Sequence, residues 1–208
     1  IETISKNSRV PTIKHLEGLC HTFWDKGYNK DQASSVIVNA KLRRPEICGA
    51  TETLLIHSGH PSEDIRYVLD NLRSQGCEII GCDRLKEIYP IDRAATEDDW
   101  STEYLDKKIS VKIVDNIEES IDHINRYSSG HTECCLSDSK QSVGLFFQNC
   151  KSAILMNNAS TQFADGGEFG FGAEIGISTD KLHVRGPVGA KHLTTFKYQV
   201  KGNNTTRP

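Results

Sequence analysis

The chain has 208 residues, of which 37% are hydrophobic and 25% charged, enough apolar material for the core of one globular domain, which argues against disorder. A formal net charge of -3 predicts no electrostatic attraction to nucleic acid or to an anionic membrane surface. Since the sequence shows neither a bilayer-spanning apolar run nor a signal peptide, we expect a cytoplasmic protein.

The cysteines and histidines give no metal signature. None of the seven cysteines forms a C-x-x-C pair, so we expect reduced thiols. The eight histidines show no H-E-x-x-H or similar spacing, and we predict surface or core histidines and no metal site. The chain starts at Ile1 and its only methionine is Met156, so we expect a fragment or a processed piece of a longer protein.

The first elements can be read from pattern and from chain breakers. The segment "TIKHLEGLCHTFWD" is predicted to be extended, and apolar residues at helical spacing predict a helix over residues 31–41. Pro45 ends that helix, because the residue before a proline is pushed out of the helical region. We expect a new helix to start within residues 46–53, followed by the buried strand "TLLIH".

The middle of the chain alternates helices and strands. "HPSEDIRYVLDNLRSQG" predicts a helix that stops at Gly76, and "CEIIGC" predicts a strand. Residues 83–106 are polar and have no clear pattern. A strand in "ISVKIV" then leads into a helix, for which Asp115 and Glu118 make a capping box, and that helix is followed by a strand at residues 134–136.

The last third predicts a helix over residues 138–149, a strand in "AILM", a glycine-rich run and an edge strand in "LTTFKYQV", with "KGNNTTRP" fraying. Alternating strands and helices are typical of an α/β domain with a mainly parallel sheet flanked by helices. Gly170, Gly172 and Gly176 miss the dinucleotide-binding spacing by one residue. The glycines permit tight turns beside a ligand, and equally a purely structural loop.

Cys48 is the best candidate nucleophile. A cysteine near a helix N-terminus with cationic neighbours, here Arg43 and Arg44, has its thiolate form favoured. The arginines could also meet an anionic leaving group or a substrate carboxylate. The alternative is that Cys48 is a small apolar side chain and the arginines belong to a solvated turn.

Three long motifs carry a family resemblance. "NAKLRRPEICGATETLLIH", "SVKIVDNIEESIDHINRYSSGHT" and "NASTQFADGGEFGFGAEIGISTDKLHVRGPVGAKHLTTFKYQVKG" resemble the γ-glutamyl phosphate reductases, also called glutamate-5-semialdehyde dehydrogenases. These belong to the aldehyde dehydrogenase superfamily. The resemblance covers nearly the whole chain and corresponds to the C-terminal half of the family's protein. It implies a thiol-bearing catalytic domain at residues 1–192, an oligomerisation arm and tail at residues 193–208, and the absence of an N-terminal NADPH-binding domain.

The resemblance implies an activity and a nucleophile. Cys48 stands where the family keeps its catalytic cysteine, and the implied reaction is the NADPH-dependent reduction of γ-glutamyl phosphate to glutamate 5-semialdehyde in proline biosynthesis. The thiolate would attack the acyl carbon, release phosphate and form a thioacyl enzyme. The isolated piece would be inactive because its main cofactor domain is missing.

The resemblance also implies further site residues. Glu103 falls where the superfamily keeps a glutamate that orients the nicotinamide ribose. The arginines before Cys48 and a loop that lines the substrate entrance give the implied substrate-binding residues, which are Arg43, Arg44, Asn158, Ser160, Thr161, Phe163 and Asp165. No general-base glutamate is expected, since a reductase that releases an aldehyde needs no activated water.

The implied partners are a second copy of the chain, paired through its C-terminal arm, and glutamate 5-kinase; nucleic acid and membranes are not expected. Two other functions stay open. One is a non-catalytic assembly or binding fragment of such an enzyme, because the cofactor domain is absent. The other is an aldehyde dehydrogenase of different acyl specificity.

Overall fold

The computed structural model describes residues 1–207. Within this range the α-helices are α1 Glu2–Asn7, α2 Lys30–Leu42, α3 Ser62–Ser74, α4 Asp83–Lys86, α5 Ile117–Tyr127 and α6 Lys140–Asn149. Short 3₁₀ helices cover Asp98–Ser101, Thr161–Phe163 and Ala190–Leu193. The strands are β1 Cys20–Trp24, β2 Thr51–His57, β3 Glu78–Gly81, β4 Arg93–Ala94, β5 Lys108–Val114, β6 Thr132–Leu136, β7 Ile154–Asn157, β8 Gly176–Ser178 and β9 Gly186–Val188.

A parallel sheet organises the described chain. Its strand order is β4-β3-β5-β2-β1-β6-β7, and every neighbouring pair is parallel. Strands β8 and β9 form a separate antiparallel pair. The predicted α/β fold with a mainly parallel sheet flanked by helices is therefore confirmed.

The sheet is buried on both faces because its central strands are apolar on both sides. On β2, Leu54 and Ile56 pack in one core cluster, and Leu55 packs in the other. Helices α2 and α3 contribute to the first cluster, while α5 and α6 contribute to the second. Strands covered on both faces read as continuous apolar runs, which explains the pattern "TLLIH".

Local signals set several helix ends where the sequence predicts them. The Asn29 side chain accepts hydrogen bonds from the backbone at the start of α2, and Gly76, with φ of +84°, follows the end of α3. The capping residue of α5 is Asn116 rather than Asp115: its side chain accepts from the Glu119 amide, and the Glu119 carboxylate accepts from the Asp115 amide. The predicted capping box is therefore one residue out of register.

A buried ion pair joins α2 to β2. Lys41 Nζ donates to Glu52 Oε2 at 2.5 Å, and both side chains are fully buried. Burial raises the pKa of Glu52 to about 7, against the opposing effect of Lys41. Removing either partner would leave the other polar group in the core without its partner.

Two predicted elements differ from the structure. Residues 46–53 contain no helix. Turns and bends cover residues 45–50, and β2 already begins at Thr51. Only five residues lie between Pro45 and β2, and so short a helix forms too few backbone hydrogen bonds to offset the cost of its nucleation. Residues 194–207, predicted to include an edge strand, form no strand in the described chain. Such a strand needs a neighbour to pair with, and the sheet of this chain does not provide one.

Among residues 1–207, none of the helices combines the length and the apolar character that crossing a bilayer requires.

Candidate active site

The residues around Cys48 meet at the amino-terminal edge of the parallel sheet. Gly18 precedes β1, Cys48 precedes β2, and His131 precedes β6. Strands β2, β1 and β6 are neighbours in the sheet and run in the same direction. The segments leading into them therefore lie side by side, although they are far apart in sequence.

Gly18 approaches Cys48 so closely that only glycine fits. A Cβ atom built on Gly18 would lie 2.3 Å from the Cys48 carbonyl oxygen, 2.4 Å from its Cα and 2.5 Å from its Cβ. These distances are far inside the ordinary carbon contact distance of about 3.5 to 4.0 Å. The missing side chain of Gly18 thus makes room for the backbone that carries the thiol.

A cavity of about 300 Å³ opens beside the thiol. Arg43, Arg44 and Cys48 lie on its wall, as does Asp165, so the structure brings together four of the residues proposed from the sequence. Guanidinium groups beside a thiol can bind a phosphate or a carboxylate. The remaining lining residues are Ile47, Gly49, Gln162, Ala164, Glu168, Glu174 and Ile177.

The Cys48 thiol is not activated in the way its neighbours in sequence predict. Burial raises its pKa, and the negative charges of Glu174 and Glu103 raise it further. The backbone amides of Cys48 and Gly49 act in the opposite direction but do not reverse the shift. The expected thiolate-favouring environment is wrong, because there is no helix N-terminus at Cys48 and the main charges acting on the thiol are carboxylates.

Glu103 lies near the thiol and is held by the backbone. Its Oε1 accepts a hydrogen bond of 2.8 Å from the Gly18 amide, and the residue is half-buried. Its charge contributes to the raised pKa of Cys48, which puts the carboxylate within electrostatic range of the sulfur. A carboxylate anchored through one oxygen can still accept hydrogen bonds from ligand hydroxyl groups. Glu103 therefore fits the part of a nucleotide cofactor that carries ribose hydroxyls.

The loop after β7 is divided between structural and cavity-lining roles. Asp165 faces the cavity, whereas Thr161 is buried and its hydroxyl lies 2.9 Å from that of Thr51. Asn158, with φ of +53°, accepts from the Ser137 amide, and Ser160 accepts from the Gln162 amide at the start of a 3₁₀ turn.

Phe163, in that same turn, is 51% exposed and does not line the cavity. Of the loop residues proposed from the sequence, the structure thus brings Asp165 alone to the cavity beside Cys48.

Gln162 joins this loop to the turn that carries Cys48. Its buried side-chain amide donates to the Ala40 carbonyl at 2.9 Å and to the Arg44 carbonyl at 3.3 Å. A Cβ on Gly49 would lie 3.2 Å from the Thr161 carbonyl oxygen. The loop thereby packs directly against the Cys48 turn. The two hydrogen bonds of Gln162 hold the backbone at Ala40 and Arg44 against this loop.

Two histidines lie close to the thiol but are not among the residues that line the cavity. His15, Cys48 and His131 each offer a ligand atom within 4.8 Å of those of the other two. His131 is fully buried, and burial together with His15 lowers its pKa to about 4, so its ring is neutral. The histidine rings meet edge to face at a centroid distance of 5.4 Å.

Sequence reasoning missed His15, His131, Gln162 and Glu174. A usable signal existed for His131, because "SGHT" precedes a predicted strand and the amino ends of parallel strands share one edge. His15 lies inside the segment predicted to be extended, and only the structure shows that β1 begins after it. Nothing in the local pattern distinguishes Glu174 from the other acidic residues of the glycine-rich run. Its carboxylate accepts from the Gly166 amide at 2.8 Å, which folds that run back toward the cavity.

The sequence resemblance is confirmed by curated relatives. The chain is 52% identical over 207 residues to a γ-glutamyl phosphate reductase from Brucella suis, covering 100% of this chain and 49% of that protein. A γ-glutamyl phosphate reductase from Bartonella bacilliformis is 50% identical over 208 residues, covering 100% of this chain and 50% of that protein. The chain spans about half the length of the curated relatives it matches. No family model matches the chain.

Solved structures agree on the fold. The crystal structure of a γ-glutamyl phosphate reductase from Thermotoga maritima matches with a TM-score of 0.95 and 44% sequence identity, covering 100% of this chain and 50% of that one. An acetylating aldehyde dehydrogenase from Geobacillus thermoglucosidasius matches with a TM-score of 0.70 and 15% identity, covering 97% of this chain and 55% of that one. The second likeness shows that the fold is aldehyde dehydrogenase-like.

Proposed function

We propose that the protein containing this chain reduces γ-glutamyl phosphate to glutamate 5-semialdehyde and phosphate with NADPH, a step of proline biosynthesis. The observation that carries the proposal is the placing of a half-buried thiol, Cys48, on the wall of a cavity shared with Arg43 and Arg44. The 52% identity to a reductase across the whole chain supports the same activity.

Cys48 is the proposed nucleophile. Its thiolate attacks the acyl carbon of the substrate, the bond from carbon to the phosphate oxygen breaks, and a thioacyl enzyme remains. NADPH, when bound, supplies the hydride that reduces this thioester. The carbon–sulfur bond then breaks, the aldehyde leaves, and the Cys48 thiolate is regenerated.

The arginines and the carboxylates around the thiol have opposite proposed roles. Arg43 and Arg44 attract the anionic substrate and stabilise the departing phosphate. Burial raises the pKa of Cys48, and the charges of Glu174 and Glu103 raise it further, so this environment disfavours the thiolate. A bound dianionic phosphate does not favour the thiolate, so the thiol must lose its proton before or during the attack.

The cofactor requires residues beyond this chain. Glu103 is the residue proposed here to hold the hydroxyls of the nicotinamide ribose, since its carboxylate is anchored beside the thiol by the Gly18 amide. We propose that residues 1–192 form the thiol-bearing catalytic domain of a longer enzyme, whose other half binds most of NADPH. The relatives, at about twice the length of this chain, support that arrangement.

The test uses the full-length protein. Iodoacetamide alkylation of each cysteine is followed by mass spectrometry, with and without glutamate 5-semialdehyde. We expect substrate to protect Cys48 and to leave Cys82, which is also half-buried, unaffected. Cys48→Ser should abolish semialdehyde-dependent reduction of NADP, while the matched variant Cys82→Ser should retain it. Protection of both cysteines or of neither, or activity in Cys48→Ser, would contradict the proposal.

We also propose that residues 193–208 pair with a second copy of the chain. Phe196, Tyr198 and Val200 alternate along this segment and are 77%, 86% and 91% exposed, the pattern of a strand with one apolar face and no partner. Phe196→Asp should shift the full-length protein to a smaller assembly in light scattering, whereas the exposed Lys197→Asp, on the opposite face of such a strand, should not. An unchanged mass for Phe196→Asp would contradict the proposed arm.

A further inference from the structure

Three side chains converge at the amino-terminal edge of the sheet in a pattern that suits a metal ion. One ligand atom from each of His15, Cys48 and His131 lies within 4.8 Å of the others. The three residues come from the segments before β1, β2 and β6, which the parallel sheet holds side by side. Their relative positions are thus set by the fold and not by a flexible surface.

The imidazoles have free nitrogens inside the protein. His15 Nδ1 and His131 Nε2 are buried and have no hydrogen-bond partner, although an unpaired buried polar atom is costly. The other nitrogen of His131, Nδ1, lies 2.8 Å from Thr132 Oγ1. A ring fixed through one nitrogen with the other one free is the usual arrangement of a histidine that binds a metal.

We propose that His15, Cys48 and His131 bind a zinc ion, and that zinc reversibly blocks the Cys48 thiol. Two imidazole nitrogens and one thiolate form a donor set that zinc prefers, with a water as the fourth ligand. Binding forms a zinc–sulfur bond and releases the thiol proton to water, without any change in oxidation state.

The geometry requires only a small closure. Zinc–nitrogen bonds of about 2.0 Å and a zinc–sulfur bond of about 2.3 Å place tetrahedral ligand atoms roughly 3.3 to 3.6 Å apart. The side chains must therefore move inward by about 1 Å from separations of up to 4.8 Å. Rotation of the half-buried side chains of His15 and Cys48 can supply this movement while buried His131 stays in place.

The surrounding charge favours a cation. Glu103 and Glu174 are the principal charges that act on the Cys48 sulfur. Both repel a thiolate, and both attract a divalent ion at the same position. Neutralising the thiolate with zinc removes that repulsion. The two carboxylates that disfavour the free thiolate therefore favour zinc at the same position.

The test is a zinc titration of the metal-free full-length protein against a chromophoric chelator. We expect one site, and cobalt in its place should give a thiolate-to-metal absorption band. At a free zinc concentration ten times the dissociation constant, alkylation of Cys48 should slow by about tenfold and recover with EDTA. His15→Gln and Cys48→Ser should each weaken zinc binding by at least about tenfold.

Controls come from the opposite edge of the sheet. Cys82→Ser and His57→Gln change a half-buried thiol and a histidine near the carboxyl ends of β3 and β2, and should leave zinc affinity unchanged. If the circular dichroism of His131→Gln is native, its zinc affinity tests His131 as a ligand. If that variant misfolds, the zinc affinity of His15→Gln decides whether the site exists.

The outcomes separate this proposal from the proposed reductase activity. If zinc affinity is the same in all ligand variants, or if zinc leaves Cys48 alkylation unchanged, the zinc site is wrong even while substrate still protects Cys48. If the cobalt band appears but substrate never protects Cys48, the zinc site stands and the proposed activity fails.

Discussion

Replacing Gly18 by alanine tests whether the segment before β1 sets the position of Cys48, the proposed nucleophile. The added methyl group would lie 2.3 to 2.5 Å from three atoms of Cys48, two of which belong to the backbone. Ordinary contact needs about 3.5 to 4.0 Å, so Gly18 and Cys48 must separate by about 1 Å. The same movement would disturb the 2.8 Å hydrogen bond from the Gly18 amide to Glu103.

Both activity and stability should fall in Gly18→Ala. A displacement of about 1 Å in a reacting group costs about 10²-fold in rate, which is the expected loss in kcat/KM for the proposed reaction of the full-length protein. Overpacking should also lower the free energy of unfolding by about 1 to 3 kcal/mol in urea denaturation. The rate is measured as phosphate-dependent reduction of NADP by glutamate 5-semialdehyde.

Gly144→Ala is the matched control. Gly144 lies within α6, and a Cβ there would meet no atom within 4 Å. Alanine in a helix should stabilise the protein by about 0.5 to 1 kcal/mol and leave kcat/KM unchanged. If Gly18→Ala retains kcat/KM within about twofold of Gly144→Ala, the close approach does not position the thiol and the reasoning is refuted.

Further predictions concern the charges around the thiol and in the core. Glu174→Gln should move the pH profile of Cys48 alkylation to lower pH, because one of the charges that raise its pKa is removed. Glu52→Gln and Lys41→Met should each destabilise the fold by about 3 to 5 kcal/mol in urea denaturation, and replacing both by methionine should cost less than the sum. Burial lowers the pKa of His123 to about 2, so the folded protein resists protonation of this ring. The free energy of unfolding should therefore fall by about 1.4 kcal/mol for each pH unit below about pH 6.5, the range in which only the unfolded chain binds this proton. His123→Gln should flatten that slope.

The predictions for Glu174 and His123 each have a control variant that should leave the result unchanged. Glu168→Gln removes another carboxylate from the cavity wall but not one of the principal charges on the thiol. An alkylation profile that moves equally in Glu168→Gln and Glu174→Gln would contradict the assigned cause. The exposed His183→Gln should keep the acid slope of the parent, and an unchanged slope in His123→Gln would show that this histidine does not drive acid unfolding.

The sequence alone predicts most of the regular elements. Helix α3 follows from Ile65, Val68, Leu69 and Leu72 on one face, all of which are buried, with Gly76 after its end. The strand "TLLIH" follows from its continuous apolar character. These predictions hold because hydrophobic periodicity and chain breakers act over a few residues and need no knowledge of the rest of the fold.

The environment of Cys48 is decided by tertiary structure. Local sequence predicts a helix and two arginines acting on the thiol, whereas the folded chain surrounds it with Gly18, Glu103 and Glu174, and with two imidazoles. Which segments meet depends on the strand order β2-β1-β6, and spacing along the chain carries no record of which parallel strands become neighbours. The sequence thus determines the elements and the nucleophile candidate, while the protonation of that thiol follows from burial and charge that only the assembled sheet brings together.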